Sequence, residues 1–209
     1  MNKPKLILIG AGRHAHACID VIEEHGGYEI TGLIGRRDEM HTQHLGYTVI
    51  ATDDDLPQLV KDYPYAFVTV GQIQIPDHRM RLYRQAAGLG FQLPAIISPS
   101  AHVSAHATVG AGSIVMHCAV VNAGARVGNN CIINTCALVE HDATVADDCH
   151  ISTGAILNGD VKIGTGTFIG SGSIIKQGVS VGQRCVVGMG LAVRHNQADH
   201  VRFLGSNKS

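Results

Sequence analysis

From Ile97 to Val193 every sixth residue is aliphatic, an unbroken series of seventeen positions. It runs Ile97, Val103, Val109, Val115, Val121, Val127, Ile133, Val139 and Val145, then Ile151, Leu157, Ile163, Ile169, Ile175, Val181, Val187 and Val193. A helix repeats at about 3.6 residues and a strand at about 2, so neither explains a period of six. A triangular coil does, because each flat face needs one inward anchor. Four residues after most anchors stands a small residue, among them Ala101, Ser113, Ala119, Ala125, Cys131, Ala137, Ala143, Cys149, Ala155, Thr167, Ser173 and Cys185. One large and one small side chain per face fill a narrow core. Three such faces make one coil, and coils stacked about 4.8 Å apart build a prism on the order of 27 Å tall. Each coil buries its anchors only against the coils above and below it.

The first hundred residues follow a different rhythm. An apolar run at Lys5–Ile9 predicts a strand, and apolar positions Ala17, Ile19 and Ile22 predict a helix over about 16–25, stopped by Gly26 and Gly27. Further strands are predicted at 28–34, 65–70 and 92–96, and helices at 55–61 and 76–89. Alternating strand and helix implies a small parallel α/β unit of Rossmann type. The chain is therefore divided into an α/β domain over 1–96 and a β-helix domain over 97–209, with a short C-terminal tail.

Net charge is −1 with no long run of one sign, which speaks against a nucleic-acid surface. The start, Met1 to Lys5, leads into only four apolar residues before Gly10, too few for a signal peptide or a membrane span. The six cysteines form no Cys-x-x-Cys pair. Cys131, Cys149 and Cys185 fall in the small inward slot, which reads as apolar filler in a reduced, cytoplasmic setting.

The turn after the first strand, Gly10-Ala11-Gly12-Arg13-His14-Ala15, precedes a helix start, where backbone N–H groups favour anions such as phosphate. It lacks the third glycine of the dinucleotide fingerprint. Arg13 and His14 suit a phosphate or a sugar hydroxyl; the other reading is a plain turn with an exposed Arg and His.

Two further segments carry a resemblance: Asn134-Thr135-Cys136-Ala137-Leu138-Val139-Glu140-His141-Asp142, and the stretch from Ile151 to Val161. With the hexapeptide period and the strand ending in Gly-Ala-x-x-His, they resemble the left-handed β-helix acyltransferases that acetylate nucleotide-linked amino sugars or sialic acids. The resemblance implies acetyl-CoA as co-substrate, a nucleotide-linked amino sugar as acceptor, a homotrimer and no metal. It implies His141 as general base, with Asp142 or Glu140 orienting its ring; Asp142 stands where relatives often have the longer Glu. It places acetyl-CoA against His150, Ser171, Met189, Gly170 and Gly172, and the nucleotide sugar against Gly12, Arg13, His14 and Gly71. Relatives usually carry acidic residues after the second strand, whereas here the chain reads Gly35-Arg36-Arg37-Asp38, so Arg36 is assigned to phosphate or base. The tail Leu204-Gly205-Ser206-Asn207 replaces a Gly-x-Pro turn.

Rival readings are weaker. Thirteen histidines raise the possibility of a three-histidine zinc site, but positions two coils from His141, His150, His102 and His106 hold Ala105, Ile114, Leu138 and Asp142. A sugar O-acetyltransferase of sialic acid type uses the same base. A hexapeptide-repeat binding module would have no need of His141.

Overall fold

The computed structural model describes residues 3–74 and 76–205. The chain forms two compact units: Met1–Gly71 with Asp77–Ser98, and Gln72–Pro76 with Pro99–Ser209. The short segment after Gly71 thus belongs with the repeat region.

In the first unit, β1 (Lys5–Ile9), β2 (Glu29–Gly35), β3 (Gln43–His44), β4 (Tyr47–Thr52) and β5 (Tyr65–Val68) form one sheet in the order β3-β4-β2-β1-β5. Its helices are α1 (His14–His25), α2 (Leu56–Asp62) and α3 (Asp77–Gly88). β1 pairs in parallel with β2 and β5 and is buried along Leu6–Ile9, as a run covered on both faces must be. The chain leaves β1 to one side and returns on the other. The loops after β1 and β5 therefore flank a topological switch point, where open α/β sheets bind ligands. The β3–β4 hairpin was missed in the sequence. Its turn places Leu45 and Gly46 at φ 50° and 89°, and a leucine is an unusual residue for that conformation. The strand expected at 92–96 is reduced to a bridge at Gln92 and a strand Ile96–Ile97.

The second unit is the expected coil. Its two-residue strands stack in parallel with partners eighteen residues on, as in Val120↔Leu138, Arg126↔Thr144 and Ile132↔His150. Three sheets result, called here the Val121, Val127 and Val115 faces after one anchor in each. Anchors from Val115 to Val193 are buried; Val103 and Val109, near the first end, are half-exposed.

Corners obey the same period. Every sixth residue from Gly112 to Gly190 has a left-handed φ between 52° and 76°. Glycine fills half of these corners; Cys118, Asn130, Cys136, Asp142, Asp148, Asp160 and Arg184 fill the rest. The small slot is also more than filler. Ser113, Cys131, Cys149 and Thr167 each donate to a corner carbonyl fifteen residues ahead, at 2.7, 3.1, 3.1 and 2.7 Å. A small hydroxyl or thiol therefore satisfies a buried acceptor that alanine cannot.

The outward rows distinguish the faces. On the Val127 face it is Thr108, Arg126, Thr144, Lys162 and Ser180; on the Val121 face it includes Val120, Leu138, Ile156 and Ile174. On the Val115 face, Ile114, Ile132, His150 and Val186 point outward and are nevertheless buried. Gln72, Gln74 and Pro76 lie against this unit: Gln72 O meets His150, Gln74 Oε1 accepts from Arg202 Nη2 at 2.6 Å, and Pro76 lies beside Gly166.

Candidate active site

His141 sits at the corner where the chain passes from the Val121 face to the Val127 face. Asp142 follows it in the left-handed corner position, φ 60°, which Asp tolerates better than most residues. The short side chain turns back, and Oδ2 lies 3.0 Å from His141 Nδ1. A carboxylate can only accept, so Nδ1 carries the proton and Nε2 keeps its lone pair. The Asp that looks one methylene too short is thus suited to the corner and still reaches the ring. Glu140 is engaged away from the ring: its Oε2 accepts from the Asn122 side-chain Nδ2 at 2.9 Å and from the His141 backbone N at 3.1 Å.

The hydrogen bond donated to Asp142 is the main force holding the His141 pKa above its ordinary value; the charges of Asp142, Glu140 and Asp160 add to it against desolvation. Two glycines make room. A Cβ on Gly159 would lie 2.6 Å from His141 Cε1 and Nε2, and one on Gly124 would strike the Asp142 carboxylate. The ring lies over Gly159, the residue one coil ahead, and is itself exposed.

His150 stands elsewhere, outward on strand His150–Ile151 of the Val115 face, and is 6% exposed. Its Nδ1 lies 2.6 Å from Gln72 O, and its Nε2 3.0 Å from Asn134 Nδ2. Asn134 Oδ1 accepts from Thr135 N at 2.8 Å, which fixes the amide with its NH₂ toward the ring. Within one chain, therefore, His141 and His150 are not brought together; one is at a corner and the other on a covered face.

Of the residues assigned to acetyl-CoA, Ser171, Gly172 and Met189 lie along one row of corners. Ser171 Oγ meets Ser152 Oγ at 2.9 Å, and Met189, one coil on, is 80% exposed. Gly172 and Gly190 are left-handed corners with open space on the side a Cβ would take. Gly170 is glycine for a different reason: a Cβ would lie 2.6 Å from the backbone of Gly188, so coil stacking itself demands it.

In the first unit, Gly12 has open space where a Cβ would lie, Arg13 is the N-cap of α1, and His14 begins that helix. Gly71, after β5, faces His14 Cβ, 3.1 Å from where its own Cβ would be. These residues therefore gather at the switch point. Arg36 is paired with Asp38 at 3.3 Å and Glu39 at 3.2 Å. Glu39, overlooked in the sequence, folds back onto Arg36 N at 2.8 Å, so a carboxylate does stand at the end of β2. Arg79 was overlooked too. It is buried, and its Nη1 donates to Val68 O and Val70 O at 2.7 and 2.8 Å, shaping the end of β5. Asn122 was detectable by arithmetic, since Glu140 is one coil ahead of it. Gln72, seventy-eight residues from His150, was not. Of the tail, Ser206 and Asn207 lie outside the described residues. Among the described residues no three His, Cys, Asp or Glu side chains cluster as metal ligands would. No described helix is long and apolar enough to cross a membrane.

A parallel β-helix of hexapeptide coils joined to a small α/β unit, with an exposed histidine–carboxylate pair, defines an acyltransferase class. Residues 5–85 match the PglD N-terminal domain, and residues 160–194 match the hexapeptide repeat of succinyl-transferase. The acetyltransferase domain of PglB from Neisseria gonorrhoeae FA1090, solved with acetyl coenzyme A, is 34% identical, with 95% of each chain covered and a TM-score of 0.87. PerB from Caulobacter crescentus, solved with CoA and GDP-perosamine, is 32% identical over 93% of this chain and 91% of its own, with a TM-score of 0.86. A histidine-to-asparagine variant of the perosamine N-acetyltransferase from C. crescentus, with the same two ligands, is 32% identical over 93% and 90%, TM-score 0.87. No curated protein matches the sequence. The chain belongs to the nucleotide-amino-sugar N-acetyltransferase family of left-handed β-helix acyltransferases, and it is an acyltransferase.

Proposed function

We propose that the protein transfers the acetyl group of acetyl-CoA to the amino group of a nucleotide-linked amino sugar, a 4-amino deoxy sugar used in bacterial surface-glycan synthesis. The observation that carries this reading is the His141–Asp142 pair, with the proton on Nδ1 and the Nε2 lone pair beside Gly159. The ligands of PglB and PerB support the choice of co-substrate and acceptor.

The neutral amine attacks the thioester carbon, and a C–N bond forms as His141 Nε2 takes the amine proton. Backbone N–H groups stabilise the tetrahedral oxyanion. The C–S bond then breaks, His141 Nε2 returns the proton to the departing sulfur, and CoA leaves as its thiol. Asp142 holds the ring and stabilises the imidazolium. The α/β unit holds the nucleotide sugar through Gly12, Arg13, His14, Arg36 and Gly71. The corner row of Ser171, Gly172 and Met189 takes the CoA arm, with Gly170 and His150 next to it. Three copies form a ring through the apolar Val121 face, whose Ile174 is exposed while the Val127 face is polar.

The test is CoA release from acetyl-CoA with a panel of UDP-, GDP- and dTDP-linked amino sugars, with His141→Ala alongside. Turnover of one amino sugar, lost in the variant, supports the reading and names the acceptor. Turnover only with hydroxyl sugars such as sialic acid moves the protein to O-acetylation.

A further inference from the structure

Glycine is the residue best suited to a left-handed corner, yet the corner one coil after Asp142 is Asp160, at φ 58°. Its backbone N–H donates to the His141 carbonyl at 3.0 Å, so Asp160 is stacked directly on the His141 corner. Gly159, immediately before it, is the residue under the His141 ring; a Cβ there would lie 2.6 Å from Nε2. Of the three carboxylates around this ring, two are committed. Asp142 accepts from Nδ1, and Glu140 accepts from Asn122 and from His141 N. The third, Asp160, is exposed, and its carboxylate accepts no hydrogen bond from another described residue. Its charge nevertheless reaches the imidazole, where it is one of those that hold the His141 pKa up. An uncommitted carboxylate therefore stands next to the residue that Nε2 faces, where the mechanism above places the attacking group.

We propose that Asp160 is a specificity-determining residue that selects an amine over a hydroxyl, its carboxylate accepting a hydrogen bond from the attacking amino group. This rests on the reading that His141 is the base for a sugar acceptor. The number of protons makes the distinction. A neutral amine has two N–H groups and one lone pair. The lone pair attacks the thioester carbon, one N–H points to His141 Nε2, and the second is left for Asp160. A hydroxyl has a single O–H; once that points to Nε2, only lone pairs remain to face the carboxylate. Charge acts in the same direction. The amine nitrogen becomes positive as the C–N bond forms, until Nε2 takes its proton, and a fixed carboxylate beside it stabilises that charge. A hydroxyl oxygen that loses its proton during attack becomes negative, and the same carboxylate repels it. The amides of the pantetheine arm gain no charge in the reaction. Glycine would satisfy the corner and the stacking equally well, but would not discriminate between acceptors.

The experiment is Asp160→Gly in the full chain, which suits the left-handed corner and removes the carboxylate. Asp160→Asn, which also tolerates that conformation, keeps an acceptor but not the charge. Thermal unfolding checks that the coil is intact in both. The acceptors are UDP-, GDP- and dTDP-linked 4-amino sugars, each beside the 4-hydroxy sugar on the same nucleotide. Rates are compared on the alkaline plateau, where His141 is neutral and a lowered pKa of its ring does not enter. Asp160→Gly is expected to lower kcat/KM for the amino sugar about ten- to a hundredfold, the usual worth of a hydrogen bond to a charged group. The hydroxy sugar is expected to be unaffected or improved, KM for acetyl-CoA to stay, and Asp160→Asn to fall between. Where a hydroxy sugar binds without turnover, dissociation constants of the pair are compared instead, and the gap between them is expected to narrow. Equal losses on both acceptors overturn the proposal, as does a loss confined to KM for acetyl-CoA. A wild type that acetylates no amino sugar overturns the proposed function and this role together. A wild type that does so, with its preference for amine kept by Asp160→Gly, overturns the role alone.

Discussion

His141 and His150 stand half a coil apart in the chain and carry their proton on the same ring nitrogen, yet their surroundings assign them opposite duties. At His141 the partner of Nδ1 is a carboxylate, Asp142, and the ring is exposed with Nε2 uncommitted. At His150 the partner is a neutral carbonyl, and Nε2 already accepts from an amide. A second proton at His141 is welcomed by three nearby carboxylates. A second proton at His150 would point at the NH₂ of Asn134. One ring leaves Nε2 open to take a proton, whereas the other has both nitrogens in hydrogen bonds and holds its neighbours in place. A histidine on the coil is therefore uninformative until the atom facing each ring nitrogen is known.

The sharpest way to break this contrast is to remove the base. His141→Ala is expected to lower kcat about 10²–10⁴-fold, measured by CoA release, because that is the usual worth of a positioned general base. A loss as large in His150→Gln, which retains a polar side chain, would make the two histidines equivalent and defeat the comparison. Next comes steric displacement. Gly159→Ala puts a Cβ against His141 Cε1 and Nε2, and a ring moved by about an ångström should lower kcat up to about 100-fold, with little change in KM for acetyl-CoA.

Third, Asp142→Asn keeps a residue that accepts the left-handed corner but removes the charge. The base must be neutral to act, so activity is lost as pH falls through the His141 pKa. That pKa is raised chiefly by the hydrogen bond to Asp142, so the acid limb of the wild-type profile lies above about pH 6.5. In the variant the limb moves to lower pH, and kcat on the plateau falls roughly tenfold as the ring loses its orienting carboxylate. An unmoved limb would assign the titration to another group. The smallest effect is expected from Asn134→Asp, which places a carboxylate opposite His150 Nε2. Nitrogen NMR should then show a changed His150 Nε2 signal, whereas the acid limb of activity stays with His141.

Much of the fold is legible because a β-helix is nearly one-dimensional. Each anchor from Val115 to Val193 meets only the residues one coil away, so a period in the sequence is a contact in space. The same arithmetic places His141 against Gly159. It also stacks Asn122 on Glu140, one coil apart, where their side chains are hydrogen-bonded. The α/β unit was less transparent. Its hairpin depends on Leu45 in a conformation that leucine seldom adopts, and buried Arg79 looks like any surface arginine of an amphipathic helix.

By itself the sequence determined the coil, its eighteen-residue stacking, and the neighbourhood of His141, because local spacing and nearest-neighbour burial decide all three. Only the tertiary structure decided which nitrogen of each histidine is committed. Asp142 meets His141 through the left-handed corner, and Gln72 meets His150 across seventy-eight residues of chain. Side-chain direction at a corner and the path of a connecting segment are set by three-dimensional packing, and no period in the sequence records them.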